Sequence, residues 1–134
     1  PNVVNLTNIL IGGSIPVIKS ATGAKIVVTL QGDDLFLGDL HEPYKTEAIA
    51  QIKRIARDVD AYIVFSRYYA DFMSDWLDLD RSKMHIVPLG ISVDELPTPA
   101  QHRPADRPPT VGYFARICPA KGFHQMVDAF LRLK

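Results

Sequence analysis

Residues 25–30, Lys-Ile-Val-Val-Thr-Leu, restrict the fold more than any other stretch. The unbroken Ile-Val-Val centre shows no alternation of apolar and polar side chains. Such a run suits a parallel strand covered on both faces. The flanking sequence supplies matching parts. Residues 2–6 form a short apolar run, read as a strand. Ile15, Val17 and Ile18 suggest a helix, with Pro16 tolerated in its first turn and Gly23 as its stop. Residues 35–41 read as a loop. Residues 43–59 form an amphipathic helix with Ile49, Ile52, Ile55, Ala56 and Val59 on one face. Residues 61–65 are a second buried strand, and Ser66 stands where the next helix needs an N-cap. That helix, 67–77, carries Tyr69, Phe72, Met73 and Trp76 at helical spacing, a stripe read as core. Residues 84–88 are a third short strand, with His85 expected to be partly buried. Strand and helix alternate at βαβ spacing, so the class is α/β with a parallel sheet.

Bulk properties exclude several functions. Fifteen basic and fifteen acidic side chains cancel over 134 residues, which gives no support to a nucleic-acid partner. No apolar run approaches the ~20 residues of a membrane span. The single cysteine, Cys118, excludes an internal disulfide and fits a reducing, cytoplasmic setting. His41 and Glu42 near Asp33, Asp34 and Asp39 match no strong metal-ligand spacing, so no metal is expected.

Two places carry candidate chemistry. The first is Gln31-Gly32-Asp33-Asp34, directly after residues 25–30 and therefore at a strand's carboxyl end, the edge where open α/β sheets bind ligands. An Asp/Gly turn and helix cap would account for it without a ligand. The second runs from Val111 to Gly122. Residues 110–114 read as a strand, and residues 123–133 as a helix with Met126, Val127, Phe130 and Leu131 on one face. Arg116 and Lys121 lie five apart between them, with Pro119 stopping the strand and Gly122 opening the helix. A strand–loop–helix junction with two cations and free N–H groups suits a phosphate. Cys118 between the two cations is read as a small residue filling the turn. Residues 96–109 hold Pro97, Pro99, Pro104, Pro108 and Pro109 and read as a stiffened linker.

Gly112-Tyr113-Phe114-Ala115-Arg116-Ile117-Cys118-Pro119-Ala120-Lys121-Gly122, followed by Val127-Asp128-Ala129-Phe130, resembles the start of the donor-binding domain of family 4 glycosyltransferases, also called glycosyltransferase group 1. Three further stretches resemble the same family. Thr29-Leu30-Gln31-Gly32-Asp33-Asp34 looks like its strand ending at the acceptor cleft. Ile63-Val64-Phe65-Ser66-Arg67-Tyr68-Tyr69 looks like its strand ending at a cleft-side serine. Pro88-Leu89-Gly90-Ile91-Ser92-Val93-Asp94 looks like its crossover between lobes, with Gly90 at the turn.

The resemblance implies a two-lobed GT-B fold of Rossmann-like units. Residues 1–95 would be the later part of the acceptor lobe, 96–109 the linker, and 110–134 the first strand and helix of the donor lobe. It implies transfer of a sugar, with retention of configuration, from a nucleotide-diphosphate sugar to an acceptor of unspecified identity. That donor is a substrate; no cofactor is implied. Arg116 and Lys121 would carry catalysis by holding the donor diphosphate with Gly122, and Gln31, Gly32, Asp33, Asp34, Ser66 and Gly90 would lie on the acceptor side.

One departure stands out. Many members carry a histidine near the position of Gln31, and Gln is no general base at neutral pH. Asp33 or Asp34 could supply a carboxylate instead; the sequence does not choose. The family's paired glutamates and its Gly-rich first loop are expected outside this chain, which is then an inactive piece open to self-association through an unpaired strand. A non-catalytic binding module on the same scaffold, or a sugar-nucleotide epimerase of the same fold, remains an alternative.

Overall fold

Four strands, β1 (Val3–Leu6), β2 (Lys25–Thr29), β3 (Ala61–Val64) and β4 (Met84–Ile86), form one all-parallel sheet in chain order. The structure, a computed structural model, describes residues 1–94, 108 and 110–133. The chain divides into two units, Pro1–Ser92 and Val93–Lys134. The class is α/β, Rossmann-like in general kind.

The connecting helices of the first unit are α1 (Ile15–Thr22), α2 (Asp33–Gly38), α3 (Tyr44–Ile55) and α4 (Arg67–Leu77). Local chemistry fixes their ends. Asn8 accepts the Ile11 N–H at 3.2 Å and starts a 3-10 turn, Ile9–Ser14, ahead of α1. Pro16 sits in the first turn of α1, and Gly23, at φ +64°, ends it. Ser66 caps α4 by accepting the Tyr69 N–H at 3.1 Å. Residues 35–41, expected as a loop, belong largely to α2. Two acidic residues open that helix at Asp33 and Asp34, where the helix dipole favours them.

Crossovers of one hand that all advance in one direction lay their helices on a single face. Burial follows that rule. Leu6, Ile26, Val28, Tyr62, Val64 and Met84 are buried on one sheet face, packed with Ile9, Ile15, Ile52, Met73 and Leu77. The opposite face, which includes Asn5, Val27 and Ala61 in one row and Thr29, Ile63 and His85 in the next, is only half-buried or exposed. The expectation that residues 25–30 are covered on both faces is therefore corrected, and so is that of a partly buried His85, which is exposed. The stripe of α4 read as core is core in large part: Met73 is fully buried and Tyr69 and Trp76 pack against the core, while Phe72 is exposed. Ala70, Met73 and Leu77 form the buried seam, while Tyr68, Phe72 and Trp76 stack along its flank with centroids 5.7–6.2 Å apart.

At the sheet's amino end, the Asp60 carboxylate accepts the Ile26 N–H at 2.8 Å and Lys25 Nζ at 3.0 Å. Lys19 Nζ lies 3.6 Å from it. The Ile26 N–H first, and then the two lysines, hold its carboxyl below the usual value of 3.8.

In the second unit, α5 (Phe123–Arg132) follows a 3-10 turn, Pro119–Lys121. Residues 110–114, expected as a strand, are not one. A strand needs a neighbour to take its N–H and C=O groups. No ladder forms there, and Val111 and Phe114 lie exposed. The linker expected at 96–109 lies outside the described residues apart from Pro108.

Candidate functional site

The carboxyl edge of the sheet gathers Gln31, Gly32, Asp33, Asp34 and Ser66. β2 ends at Thr29, and the chain turns through Gly32 at φ +75°, a backbone conformation that glycine adopts without Cβ strain. The turn aims the Asp33 side chain inward. Its Oδ1 accepts the Ile9 N–H and its Oδ2 the Gln31 N–H, each at 2.8 Å. Asp33 is almost completely buried, and burial pushes its carboxyl above the usual value despite those two bonds. It thus ties the loop after β1 to the loop after β2.

Asp34 has a different partner. Its Oδ1 accepts the Tyr69 hydroxyl at 2.7 Å, and the same phenol oxygen accepts the Gly32 N–H at 3.0 Å. Burial first, and then the Asp34 bond, push the Tyr69 hydroxyl well above its ordinary range, so it stays a proton donor. Gln31 Nε2 donates to the Thr7 carbonyl at 3.0 Å. Its Oε1 has no protein partner among the described residues. Of the two carboxylates, Asp33 is the buried one, and Asp34 is half-buried with its Oδ1 engaged by Tyr69.

A cleft of about 430 Å³ opens beside this network. Gln31, Gly32, Phe65, Ser66, Tyr68 and Leu89 line it. Ser66 is both cap and lining residue: its Oγ accepts the Tyr69 N–H while its own proton remains available to donate. Gly90 is exposed, and a Cβ there would meet no described residue within 4 Å. Tyr69, Phe65, Tyr68 and Leu89 were not singled out by the sequence as site residues. Tyr69 had one available signal, its place three residues after the Ser66 cap.

In the second unit, Arg116 and Lys121 are both exposed and stand at the two ends of one turn. Tyr113 closes it. Its hydroxyl lies 3.3 Å from the Arg116 carbonyl and 3.2 Å from the Lys121 carbonyl and donates to this pair, while its ring meets Phe123 edge-on at 4.9 Å. Lys121 N–H donates to the Cys118 carbonyl and Gly122 N–H to the Pro119 carbonyl, each at 3.0 Å. The N–H of Gly122 is therefore used within the turn. The first bond after Gly122 runs from the Met126 N–H to the Gly122 carbonyl, so the N–H groups of Phe123, His124 and Gln125 open α5. Gly122 itself, at φ +69°, makes the sharp entry to the helix. Cys118 is a half-buried free thiol within the turn.

Among the described residues, no group of three His, Cys, Asp or Glu side chains could hold a metal ion, and no helix is long and apolar enough to cross a membrane. No protein-family model, curated protein or solved structure matches the chain.

Proposed function

We propose that this chain is part of a retaining glycosyltransferase that uses a nucleotide-diphosphate sugar. The observation that carries the reading is the turn of the second unit. Arg116 and Lys121 flank it, Tyr113 pins its two ends, and a ten-residue helix opens directly after it. Breaking the bond between sugar and nucleotide places negative charge on the leaving diphosphate. Fixed cations and helix-opening N–H groups stabilise that charge without a divalent ion. In this reading Arg116 and Lys121 hold the diphosphate, and the edge formed by Gln31, Gly32 and Ser66 serves the acceptor.

The test is an NMR titration of the chain with UDP, GDP and ADP, following the amides of residues 116–123. Saturable shifts that vanish in Lys121→Ala are expected, and in the full protein Arg116→Ala or Lys121→Ala lowers transfer by about two orders of magnitude. Equal shifts in the wild type and Lys121→Ala would sink the assignment. A second reading, a non-catalytic binding module on the same scaffold, draws on the engagement of Asp33 and Asp34 and on Gln31. It predicts no transfer by the full protein with any nucleotide sugar.

A further inference from the structure

A second cleft of the first unit, of about 510 Å³, lies in the helix layer and shares no lining residue with the one at the carboxyl edge. The 3-10 turn Ile9–Ser14 and the start of α1 form one wall, and the later part of α3 forms the other. Ile9, Leu10, Pro16, Ile52 and Ile55 make its lining largely apolar. Gly12 and Gly13 shape it. A Cβ on the buried Gly12 would collide with Ile55 Cδ1, so glycine lets the turn close onto α3. A Cβ on Gly13, which lines the cleft, would meet no described residue within 4 Å. Opposite charges complete the lining. Arg54 and Asp58 stand four residues apart on the same wall, yet they do not pair with each other. The Arg54 guanidinium donates to Gln51 Oε1, and the Asp58 carboxylate has no partner among the described residues. Lys19 Nζ goes instead to the Asp58 carbonyl at 2.8 Å and to Asp60 at 3.6 Å.

We propose that this cleft binds a free α-amino acid with an apolar side chain, its carboxylate on Arg54, its ammonium on Asp58 and its side chain against Ile9, Ile52 and Ile55. The volume suits a molecule of that size. A ligand with an anionic group alone would satisfy Arg54 but face the Asp58 carboxylate. A cationic one would meet the reverse. An α-amino acid carries both charges on one carbon, a short span that suits two side chains one helical turn apart. Each contact is then a charge-assisted hydrogen bond. A peptide terminus offers one of the two charges and leaves the other rim group unmatched. The site is partly pre-formed, because Gln51 steadies Arg54 and Lys19 anchors the backbone of Asp58. That anchoring lowers the ordering cost of binding.

The experiment titrates the chain with L-leucine, L-isoleucine and L-phenylalanine, followed by NMR at the backbone amides of Gly13, Gln51, Ile52, Ile55 and Asp58. Three controls each lack one recognition element: glycine the side chain, isopentylamine the carboxylate, and 4-methylpentanoate the ammonium. At least one of the three amino acids produces saturable shifts centred on these residues, and each control binds at least about tenfold more weakly. Arg54→Gln, at an exposed position, and Asp58→Asn, which keeps the backbone carbonyl that Lys19 uses, each weaken binding about tenfold. Unchanged amide shifts of β1 to β4 show that both variants are folded. The absence of saturable shifts with all three amino acids up to their solubility limits overturns the proposal. So does binding of isopentylamine or 4-methylpentanoate as tight as that of leucine, or indifference to both substitutions. The glycosyltransferase reading is scored separately, by the nucleotide response at residues 116–123, and neither result moves the other.

Discussion

The two units hold their candidate groups in different ways. In the first, Asp33 and Tyr69 fix a backbone that a buried core already supports; every fully buried hydrophobic residue described belongs to this unit. In the second, no described residue is fully buried, and the turn bearing Arg116 and Lys121 depends on one phenol, one aromatic pair and one helix. Polar geometry at the sheet edge is therefore set by long-range packing, whereas geometry around the two cations is set locally. A mutation should propagate in the first case and stay local in the second.

The largest contrast lies in the apolar anchors. Met73 is fully buried among the sheet and its helices, while Phe130 on α5 is 50% exposed. Met73→Ala should cost the first unit about 2–5 kcal/mol, read by urea unfolding through Trp76, the only tryptophan. Phe130→Ala should cost less than about 1 kcal/mol, because little area leaves water in the first place. Equal costs would break the comparison. Next in size is Asp33→Ala, which orphans the Ile9 and Gln31 N–H groups and should cost about 2 kcal/mol. Its amide signature is specific: Ile9 and Gln31 lose exchange protection together although they belong to different loops.

The sequence made the first unit legible because its signals are local and strong. Residues 25–30 and 61–65 carry β-branched runs, Gly23 carries a stop and Ser66 a cap, and each became a strand, an end or a cap as expected. Which sheet face would be covered was not legible, since an Ile-Val-Val run fits one-sided and two-sided burial alike. The fate of the four-residue edge Gln31-Gly32-Asp33-Asp34 was half legible. A turn and a helix start were visible, but the sorting of Asp33 inward and Asp34 toward Tyr69 depends on partners 24 and 35 residues away. The strand expected at 110–114 failed for a similar reason. Its β-branched and aromatic residues state a preference, but a strand exists only with a neighbour.

Two glycines sharpen the comparison at about equal local cost. Gly32 and Gly122 stand at φ +75° and +69°, each opening a helix. Alanine at either position carries about 1 kcal/mol of left-handed strain. At Gly32 nothing lies within 4 Å of the added Cβ, so the whole cost is backbone and should lower the Trp76 transition by about 1 kcal/mol. At Gly122 the added Cβ lies 3.0 Å from Gln125 Oε1, at the end of a flexible side chain that can swing aside. Gly122→Ala should therefore fray the start of α5, seen as weaker helical chemical shifts at residues 123–126. A Gly32→Ala variant with no change in unfolding midpoint would show that its turn can flip at no cost.

The smallest effects are electrostatic, and their signs separate the two ends of the sheet. At the carboxyl end Asp33 has its carboxyl raised above 3.8 by burial. Its contribution is full below pH 3.8 and is lost as pH rises through the folded value, so the cost of Asp33→Ala should be greatest in acid. At the amino end Asp60 is lowered, chiefly by the Ile26 N–H and then by Lys25 and Lys19. Its contribution is full above pH 3.8 and is lost as pH falls through the folded value. Asp60→Asn keeps an acceptor for Ile26 but drops the charge. It should cost less than about 1 kcal/mol at neutral pH, since water screens the two lysines. The cost should shrink toward zero in acid. Urea midpoints of wild type and both variants, taken from neutral pH into acid, give two difference curves of opposite slope. Parallel curves would mean that the buried network around Asp33 is not what tunes its carboxyl, and that the sheet edge beside the cleft is less sealed from water than its hydrogen bonds imply.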